Sequence, residues 1–434
     1  MHSSILPVFF RKTAFFSLVF ILCFLIMCPD SATAQNLSPL APSPAWKELE
    51  AYHDTITREE FESALQQVYA SESAYSGFLT ISHSGVQILT NTGSSQKPGI
   101  FIRFAPNAAS RAPLPRYWKQ KSQLSKRSSS RPLQGLTVAL DPGHIGGNYA
   151  KMEERWFQIG KVPPVMEGNM SLKVAELLAP NLERLGAKVV WVRKSTQPVT
   201  SQRPKDFRDE AIKTIKSISR NAIYDSYSGP NDPRKFASIQ WQSELLFYRT
   251  SEIRARAQKV NAKLKPDIVL CLHFNAEAWG DPASPQLVNV NHFHLLVNGT
   301  YGRSEIALDD VRFDMLQRIF QRIHEEEIPL SQQVARSMAK INNLPPYIYT
   351  GSNARKMSSD NYVWARNLLA NRLYQCPVVF LEPYVMNSEG FFQHFQLGEY
   401  SGTREVRGAQ RPNIYQEYTN ALIQGLVDYY LGER

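Results

Sequence analysis

Cysteine is scarce in this chain of 434 residues, which contains four in all. So few thiols exclude a small scaffold held together by disulfide bonds. Cys23 and Cys28 lie near an N-terminal apolar segment, whereas Cys271 and Cys376 lie in apolar, strand-like stretches. For the second two, two interpretations stay open: buried thiols that pack as small hydrophobic groups, or one disulfide between neighbouring strands of an exported protein.

The motifs of several functional classes are also lacking. Gly143, Gly146 and Gly147 are not followed by the Gly-Lys-Ser/Thr of a phosphate-binding loop, and the sequence has no Gly-x-Ser-x-Gly elbow for a serine nucleophile. No internal repeat and no recognisable nucleic-acid-binding motif is evident. These absences argue against a nucleotide-hydrolysing enzyme, a serine hydrolase and a nucleic-acid-binding protein.

The first 34 residues have the features of an export signal. Arg11 and Lys12 precede an apolar run over residues 15–27, and Ala32-Thr33-Ala34 has the small residues of a signal-peptidase site. The run is shorter than the about 20 residues that a membrane-spanning helix needs. We therefore predict a signal peptide over residues 1–34 and an exported protein of the periplasm or cell envelope without a membrane span. An uncleaved anchor is the alternative.

The chain is basic. Its formal net charge is +10, of which the first 34 residues contribute +1 through Arg11, Lys12 and Asp30, so the remainder keeps +9. Such a net positive charge favours contact with an anionic polymer. Because the chain carries an export signal, we expect that polymer to belong to the cell wall and not to be a nucleic acid.

Composition divides the remainder into three parts, of which the first two are short. Residues 44–106 contain a capping box, Thr57-Arg-Glu-Glu60, followed by β-rich runs over residues 78–82, 86–90 and 100–104. This part predicts a small α+β unit of unknown role. Residues 107–134 are rich in Pro, Ser, Arg and Lys, which predicts a basic and largely disordered linker.

The third part, residues 135–434, alternates strand-like and helix-like segments. The predicted strands cover residues 136–140, 188–192, 267–272, 287–296 and 377–381, and the clearest predicted helices cover 171–185 and 418–431. This alternation predicts an α/β layered domain with a mainly parallel central sheet flanked by helices. Two polar stretches, near residues 200–250 and 298–330, are predicted to be insertions.

Three residues suited to metal chemistry follow predicted strands. His144 follows the first strand through Asp141-Pro142-Gly143, His273 ends the third, and Glu382 ends the last. Open α/β sheets carry their sites at the carboxyl ends of strands, so these side chains should meet at one edge. Two histidines and a carboxylate suit a hydrolytic zinc site, which also needs a separate carboxylate as general base.

Four motifs stand in order across residues 136–431. They are Val138-Ala-Leu-Asp-Pro-Gly-His144-Ile-Gly-Gly, Glu167-Gly-Asn-Met-Ser-Leu172, Arg256-Ala-Gln-Lys-Val-Asn261 with Pro266-Asp-Ile-Val-Leu-Cys-Leu-His273-Phe-Asn-Ala276, and Val379-Phe-Leu-Glu382-Pro-Tyr-Val-Met-Asn387. This series resembles the zinc-dependent N-acetylmuramoyl-L-alanine amidases of the amidase-3 type. The resemblance implies Zn²⁺ held by His144, Glu167 and His273, with Glu382 as catalytic base. It also implies cleavage of the amide between N-acetylmuramic acid and L-alanine in peptidoglycan.

The sequence departs from that pattern at two places. The interval from His144 to Glu167 is long and contains Glu153 and Glu154, and Pro383 replaces a glycine often found after the catalytic glutamate. We still assign the ligand to Glu167, because it opens a helical motif that continues to Leu172 as in the resembling family. A helix N-terminus also favours an anionic residue.

Three further residues are candidates for the surroundings of the metal. Asn275 follows the third ligand closely, and His292 and His294 share one face of a predicted strand. They are candidates for outer-shell or substrate contacts. For the two histidines, positions in the core or at the rim are the alternative.

The insertion near residues 298–330 raises the question of regulation. Its predicted helix, residues 309–326, ends in the run Glu325-Glu326-Glu327. In some members of the resembling family a comparable insertion carries a regulatory helix that a partner displaces. One interpretation is that a carboxylate of this run occupies the open zinc position in place of water until a protein activator displaces the helix. A solvated acidic helix end with no role at the metal is the alternative.

Two other functional classes stay open beside the amidase. One is another zinc peptidase acting on wall peptides. Its mark would be an arginine that holds the substrate carboxylate, and the sequence does not single one out. The other is an inactive wall-binding protein, against which the intact set of three ligands and one base argues.

Overall fold

The computed structural model describes residues 35–124, 128–218 and 222–432. Its strands are β1 (Leu79–Ile81), β2 (Gly85–Leu89), β3 (Gly99–Arg103), β4 (Thr137–Pro142), β5 (Trp156–Phe157), β6 (Val165–Met166), β7 (Lys188–Trp191), β8 (Ile268–Leu272), β9 (His294–Val297), β10 (Arg355–Lys356), β11 (Val363–Ala365), β12 (Val378–Glu382), β13 (Arg404–Val406) and β14 (Ala409–Arg411). Its α-helices are α1 (Arg58–Ala64), α2 (Glu72–Tyr75), α3 (Glu167–Arg184), α4 (Arg208–Ile218), α5 (Ile239–Leu245), α6 (Glu252–Gln258), α7 (Arg303–Ile306), α8 (Asp309–Phe320), α9 (His324–Asn342), α10 (Leu369–Leu373), α11 (Glu389–Gln396) and α12 (Ile414–Leu431).

A seven-stranded sheet in the order β10-β11-β9-β12-β8-β4-β7 lies at the centre. β12, β8, β4 and β7 are parallel, whereas β9 and β11 run the other way. Alternate residues of a strand face opposite sides, so Leu140 packs with α3, α9 and α12, and Ala139 packs with α6 on the other side. Helices cover both faces, which explains the apolar runs of the central strands. The predicted α/β class is confirmed.

The predicted strands agree with the observed ones except in one case. We expected a strand over residues 287–296, but β9 begins only at His294. The preceding residues bond to the loop after β12: Val288 N donates to Asn387 O at 2.8 Å, and Val385 N donates to the Asn291 side chain at 2.8 Å. Loop contacts have therefore replaced strand pairing here.

The N-terminal region has the predicted local structure. The side chain of Thr57 accepts from Glu60 N, and the Glu60 side chain accepts from Thr57 N, so the capping box at α1 is confirmed. β1, β2 and β3 form an antiparallel sheet. Because a sheet of three strands needs cover for its apolar face, α8 from the 298–330 insertion packs against it in a common core. The division of the chain into separate domains stays a prediction.

The segment predicted as a disordered linker is ordered where it is described. Trp118 is buried at 2% exposure, and the backbone N of Lys119 donates to Asp267 Oδ1 at 2.9 Å. Leu133 is buried as well, and its N donates to Leu185 O at 3.0 Å. The expectation of disorder is therefore wrong for residues 107–124 and 128–134. The segment has a polar composition, but a few apolar side chains are enough to anchor the segment to the core.

The acidic run of the second insertion opens a helix and does not end one. α8 stops at Phe320, and Glu325, Glu326 and Glu327 lie in the first turn of α9, where the helix dipole favours them. Glu327 is fully buried and accepts from Arg318 Nη2 at 2.6 Å and from Val378 N at 3.0 Å.

Val378 begins β12, whereas Glu382 ends it, so Glu327 lies at the opposite edge of the sheet from the predicted site. The side chains of Glu325 and Glu326 contact Arg322 and Lys121 N, respectively. The expectation that this run supplies a carboxylate at the metal is therefore wrong.

Two further predictions concern the thiols and the N-terminus. Cys271 and Cys376 are both buried and free, which agrees with packing as small hydrophobic groups and not with a disulfide. The predicted signal peptide, residues 1–34, lies outside the described residues. Among the helices that are described, none combines the length and the apolar character needed to span a membrane.

The buried pair of Arg318 and Glu327 generates a stability prediction. Their side chains are 1% and 0% exposed, and Arg318→Leu leaves the Glu327 carboxylate uncompensated in the core. We expect a loss of about 3–5 kcal/mol in the free energy of unfolding, measured by denaturant titration. Arg58→Leu breaks the more exposed pair with Glu62 and should cost at most about 0.5 kcal/mol. Equal losses in the two variants would contradict the assignment of Arg318 as a structural cation.

Candidate metal centre

Three neighbouring strands bring the predicted site residues to one edge of the sheet. β8 lies between β4 and β12 and is parallel to both, so their carboxyl ends coincide. His144 follows β4 by two residues, His273 follows β8 directly, and Glu382 is the last residue of β12. Glu167, the first residue of α3, completes the group.

The turn after β4 requires special backbone geometry. A Cβ atom at Gly143 would lie 2.4 Å from Cε1 of His273, so only glycine allows the His273 ring to approach this closely. The next residue, His144, has φ +57°, in the left-handed region that non-glycine residues rarely adopt. Backbone strain of this kind persists only when surrounding contacts hold it.

Two buried arginines supply those contacts. Arg256 donates from Nη1 to Pro142 O and from Nη2 to His144 O, both at 2.8 Å, and its charge is balanced by Asp141 and Glu252. Arg193 donates from Nη2 to Gly143 O at 3.3 Å and to Gly168 O at 3.1 Å. Arg193 therefore ties the turn that carries His144 to the helix that carries Glu167.

Glu167 lies between the two imidazoles. Its Oε1 is 3.1 Å from His273 Nδ1 and also accepts from Phe274 N at 3.1 Å. Its Oε2 is 3.1 Å from His144 Nε2 and 3.1 Å from Arg155 Nε. The candidate ligand atoms of His144, Glu167 and His273 lie within 4.8 Å of one another.

The electrostatics of this triad call for a cation. Burial raises the pKa of a carboxyl group, but the His144 charge and the imidazole hydrogen bonds outweigh it and hold the pKa of Glu167 well below its usual value. Burial likewise lowers the pKa of His144, but the Glu167 charge outweighs it and raises that pKa to about 9. Either a proton on His144 or a metal ion can balance the buried Glu167 carboxylate.

The donor set and its spacing fit Zn²⁺. Two imidazole nitrogens and one carboxylate are the ligands of many catalytic zinc sites. Glu167 presents Oε2 to His144 and Oε1 to His273, each at 3.1 Å, and the three residues can offer ligand atoms within 4.8 Å of one another.

Glu382 lies in the same cavity as His144 and Glu167. Burial raises the pKa of Glu382, and the neighbouring Glu167 charge adds to the effect, which brings the value to about 8. A cation held by the triad would favour the carboxylate form, which a general base requires.

The cavity at this edge has a volume of about 930 Å³. One wall comes from the 200–250 insertion through Tyr227 and Lys235, and another comes from the loop that contains Trp279. The two walls are joined by Asn231 Nδ2, which donates to Asp281 Oδ1 at 2.7 Å. The cavity is therefore bordered by elaborations of the α/β core and not only by strand ends.

The three residues predicted to surround the triad, Asn275, His292 and His294, differ in where they lie. Asn275 lines the cavity, and its Nδ2 is 3.5 Å from His292 Nδ1. His292 Nε2 contacts Glu277 Oε1 at 2.9 Å at the cavity rim. His294 is buried and pairs across the sheet with Glu382.

Burial, with the neighbouring charges of His292 and Arg366, lowers the pKa of His294 to about 3, so its ring is neutral. His294 Nε2 lies 2.9 Å from the hydroxyl of Tyr349, which lies 3.4 Å from Arg366 Nη1. Sequence reasoning did not identify Tyr349 or Arg366, because they belong to a distant segment that β9 and β11 bring beside Glu382.

Sequence reasoning also did not assign a role to Glu153 or Arg155. Glu153 is 2% exposed, accepts from Ile145 N at 2.8 Å and Gly146 N at 3.0 Å, and lies 3.7 Å from His144 Nδ1. Arg155 contacts Glu167 directly. The long interval between the first two motifs, which contains Glu153, was the signal in the sequence.

The positions of Glu153 and Glu154 generate a metal-binding prediction. Glu153→Gln keeps the side-chain shape but removes the charge beside His144, so Zn²⁺ affinity should fall about 10–100-fold while one ion still binds per chain. Glu154 contacts Lys235 instead, so Glu154→Gln serves as the matched control and should leave affinity unchanged. Competition with a chromophoric chelator measures both. Complete loss of the ion in Glu153→Gln alone would make Glu153 the carboxylate ligand.

No family model matches the sequence, and no curated protein is similar enough to match it. Among solved structures, the chain is similar to the apo form of the N-acetylmuramyl-L-alanine amidase Ami1 from Mycobacterium abscessus, with 15% identity, 69% of this chain and 100% of that chain covered, and a TM-score of 0.36. An N-acetylmuramoyl-L-alanine amidase from Clostridium difficile 630 is 16% identical, with 69% of this chain and 100% of that chain covered and a TM-score of 0.35. The CwlD amidase from Clostridioides difficile, solved in complex with the GerS lipoprotein, is 11% identical, with 68% of this chain and 98% of that chain covered and a TM-score of 0.36. At these identities and TM-scores the likeness does not assign this chain to a family.

Proposed function

We propose that this chain is an exported zinc hydrolase that cleaves the amide between N-acetylmuramic acid and L-alanine in peptidoglycan. The observation that carries the proposal is the meeting of His144, Glu167 and His273 with ligand atoms within 4.8 Å of one another. His144 and Glu167 line the cavity that also holds Glu382. These four residues come from the four motifs that resemble the amidase-3 enzymes. The motifs supply the reaction class, and their convergence at one sheet edge supports its chemistry.

His144, Glu167 and His273 would hold the ion. Arg155 and Phe274 N contact Glu167, and Glu153 contacts His144, so these groups would orient the ligands. When bound, Zn²⁺ supplies Lewis-acid activation of water and of a carbonyl oxygen.

Glu382 moves the protons. As a buried carboxylate it accepts a proton from the attacking water and holds it, because burial favours the neutral acid. It then gives that proton to the nitrogen of the departing amine, so one residue serves as general base and general acid. His294, held neutral beside Glu382, does not compete for the proton.

The location and the substrate follow from the same proposal. The N-terminal signal directs the protein to the periplasm or cell envelope, where peptidoglycan is its partner, and the basic surface suits an anionic wall. A protein activator remains part of the proposal from the resemblance alone, since the 298–330 segment is occupied in covering the N-terminal sheet.

A second candidate function is supported by Arg155. The alternative of another zinc peptidase acting on wall peptides calls for an arginine that holds a substrate carboxylate, and Arg155 lines the cavity next to Glu167. Such an enzyme would cut a peptide bond within the stem peptide and leave the bond to muramic acid intact.

Glu382→Gln tests the assignment of the base. The amide is nearly isosteric but cannot accept a proton, so hydrolysis should fall by about 10²–10⁴-fold while zinc content stays at one per chain. Mass spectrometry of purified peptidoglycan digested by the wild-type protein should show free stem peptides that begin with L-alanine. Products that retain muramic acid and have lost only terminal amino acids would support the peptidase instead.

Loss of metal ligands tests the triad. His144→Ala and His273→Ala each remove one of three protein ligands, so neither variant should retain stoichiometric Zn²⁺ after dialysis. His292→Ala is the control, because His292 contacts Glu277 and not the triad, and it should retain the ion. Full zinc content in both ligand variants, measured by elemental analysis, would refute the triad.

A further inference from the structure

A short hairpin stands between the first two metal-ligand motifs. β5 and β6 pair through Trp156 with Met166 and through Phe157 with Val165. We call residues 151–166 the rim hairpin, because Lys151, Arg155 and Trp156 line the cavity. The pairing leads directly into α3, and Glu167 N donates to Arg155 O at 3.3 Å. The rim hairpin is therefore fixed to the ligand-bearing helix.

The guanidinium of Arg155 is only partly used by the protein. Nε contacts Glu167 Oε2 at 3.1 Å, and Nη1 donates to Glu154 O at 3.0 Å. Among the residues that the structure describes, Nη2 has no hydrogen-bond partner, and the side chain is 36% exposed. Two bonds hold the planar group in place and leave donors for a molecule in the cavity.

Lys151 adds a second charge on the same hairpin. Its side chain is exposed, and Nζ lies 4.3 Å above the ring of Trp156. Within the described parts of the chain, no carboxylate lies within ion-pair distance of this ammonium group. Of the other charged groups of the described cavity wall, Lys235 contacts Glu154, Glu277 contacts His292, and the Glu244 carboxylate accepts from the Tyr227 hydroxyl at 2.8 Å. Lys151 is therefore a cation of the described cavity wall that has no carboxylate partner, and it lies on the rim hairpin.

We propose that Arg155 and Lys151 form a carboxylate-binding subsite, so that the preferred substrate carries a carboxylate close to the amide that is cut. This deepens the proposed function and rests on it for the identity of the cleaved bond. The planar Arg155 group suits the two oxygens of a carboxylate, and Lys151 adds a second charge from the rim. A stem peptide with free carboxyl groups meets this requirement, and one with amidated carboxyl groups does not.

The test compares two probes that differ only in charge. One is N-acetylmuramoyl-L-alanyl-D-glutamate, and the other is the same compound with both carboxyl groups converted to carboxamides. Calorimetry with the zinc-loaded Glu382→Gln protein measures binding without turnover. Charge-assisted hydrogen bonds predict that the carboxylate probe binds about tenfold tighter or more.

Variants made in the Glu382→Gln protein show which residues cause the preference for the carboxylate probe. Arg155→Gln and Lys151→Met should each reduce the ratio of the two dissociation constants severalfold. Arg155 touches Glu167, so zinc content is measured for each variant. Lys151→Met gives a second reading at a side chain that stacks on Trp156. Lys161→Met is the matched control: Lys161 is exposed on the same hairpin but does not line the cavity, and its variant should keep the full ratio.

Two outcomes overturn the subsite. One is equal binding of the two probes by the zinc-loaded protein. The other is a preference that persists unchanged in both Arg155→Gln and Lys151→Met, which would place the carboxylate on the metal itself. The wild-type protein separates this proposal from the proposed function: a protein that binds the carboxylate probe selectively but does not release L-alanyl-D-glutamate keeps the subsite and refutes the amidase.

Discussion

The burial of the Glu167 carboxylate is the constraint on which the rest of the site depends. A carboxylate removed from water must be surrounded by positive charge and hydrogen-bond donors, or it is strongly destabilising. Its oxygens are reached by two imidazoles, the Arg155 guanidinium and the Phe274 amide, each at 3.1 Å. These donors come from the turn after β4, from the rim hairpin and from the end of β8. The site therefore exists only when several distant segments meet at one sheet edge, and the same demand for positive charge supports the proposal of a metal ion there.

Two buried arginines show how such a meeting is maintained. Residues 142–144 lie at the end of β4 and in the turn that follows, so no helix supplies hydrogen-bond donors to their backbone carbonyls. These carbonyls therefore need donors from elsewhere in the chain. Arg193 and Arg256 provide them, and Arg193 also reaches Gly168 at the start of α3. The left-handed conformation of His144 is stable because its carbonyl is held in this way. Positions that carry no ligand thus decide where the ligands lie.

The elaborations of the α/β core differ in which edge of the sheet they reach. The rim hairpin and the 200–250 insertion border the cavity, and Asn231 joins the latter to the Trp279 loop. The 298–330 insertion instead covers the N-terminal sheet, and Glu327 bonds to Val378 at the start of β12. Val378 and Glu382 are the first and last residues of a strand of five residues, yet they lie at opposite edges of the sheet. Proximity in sequence to Glu382 therefore does not place a segment at the cavity.

The sequence by itself determined the α/β class, most of the strand positions, and the four residues proposed for the metal and the proton. The class, the strands and the positions of His144, His273 and Glu382 depend on local signals: apolar runs of strand length and chemistry-bearing residues directly after strands. Glu167 was assigned from the motif that resembles the amidase-3 enzymes. Only the tertiary structure decided that Glu325–Glu327 begin a helix, that Trp118 anchors the basic segment, and that Arg155 faces the cavity. Each of these outcomes depends on which partner a side chain finds far along the chain, as Glu327 finds Arg318 and Arg155 finds Glu167. Spacing and composition indicate what kind of group a residue can bind. Only the folded chain shows which partner neutralises or hydrogen-bonds that residue once it is buried.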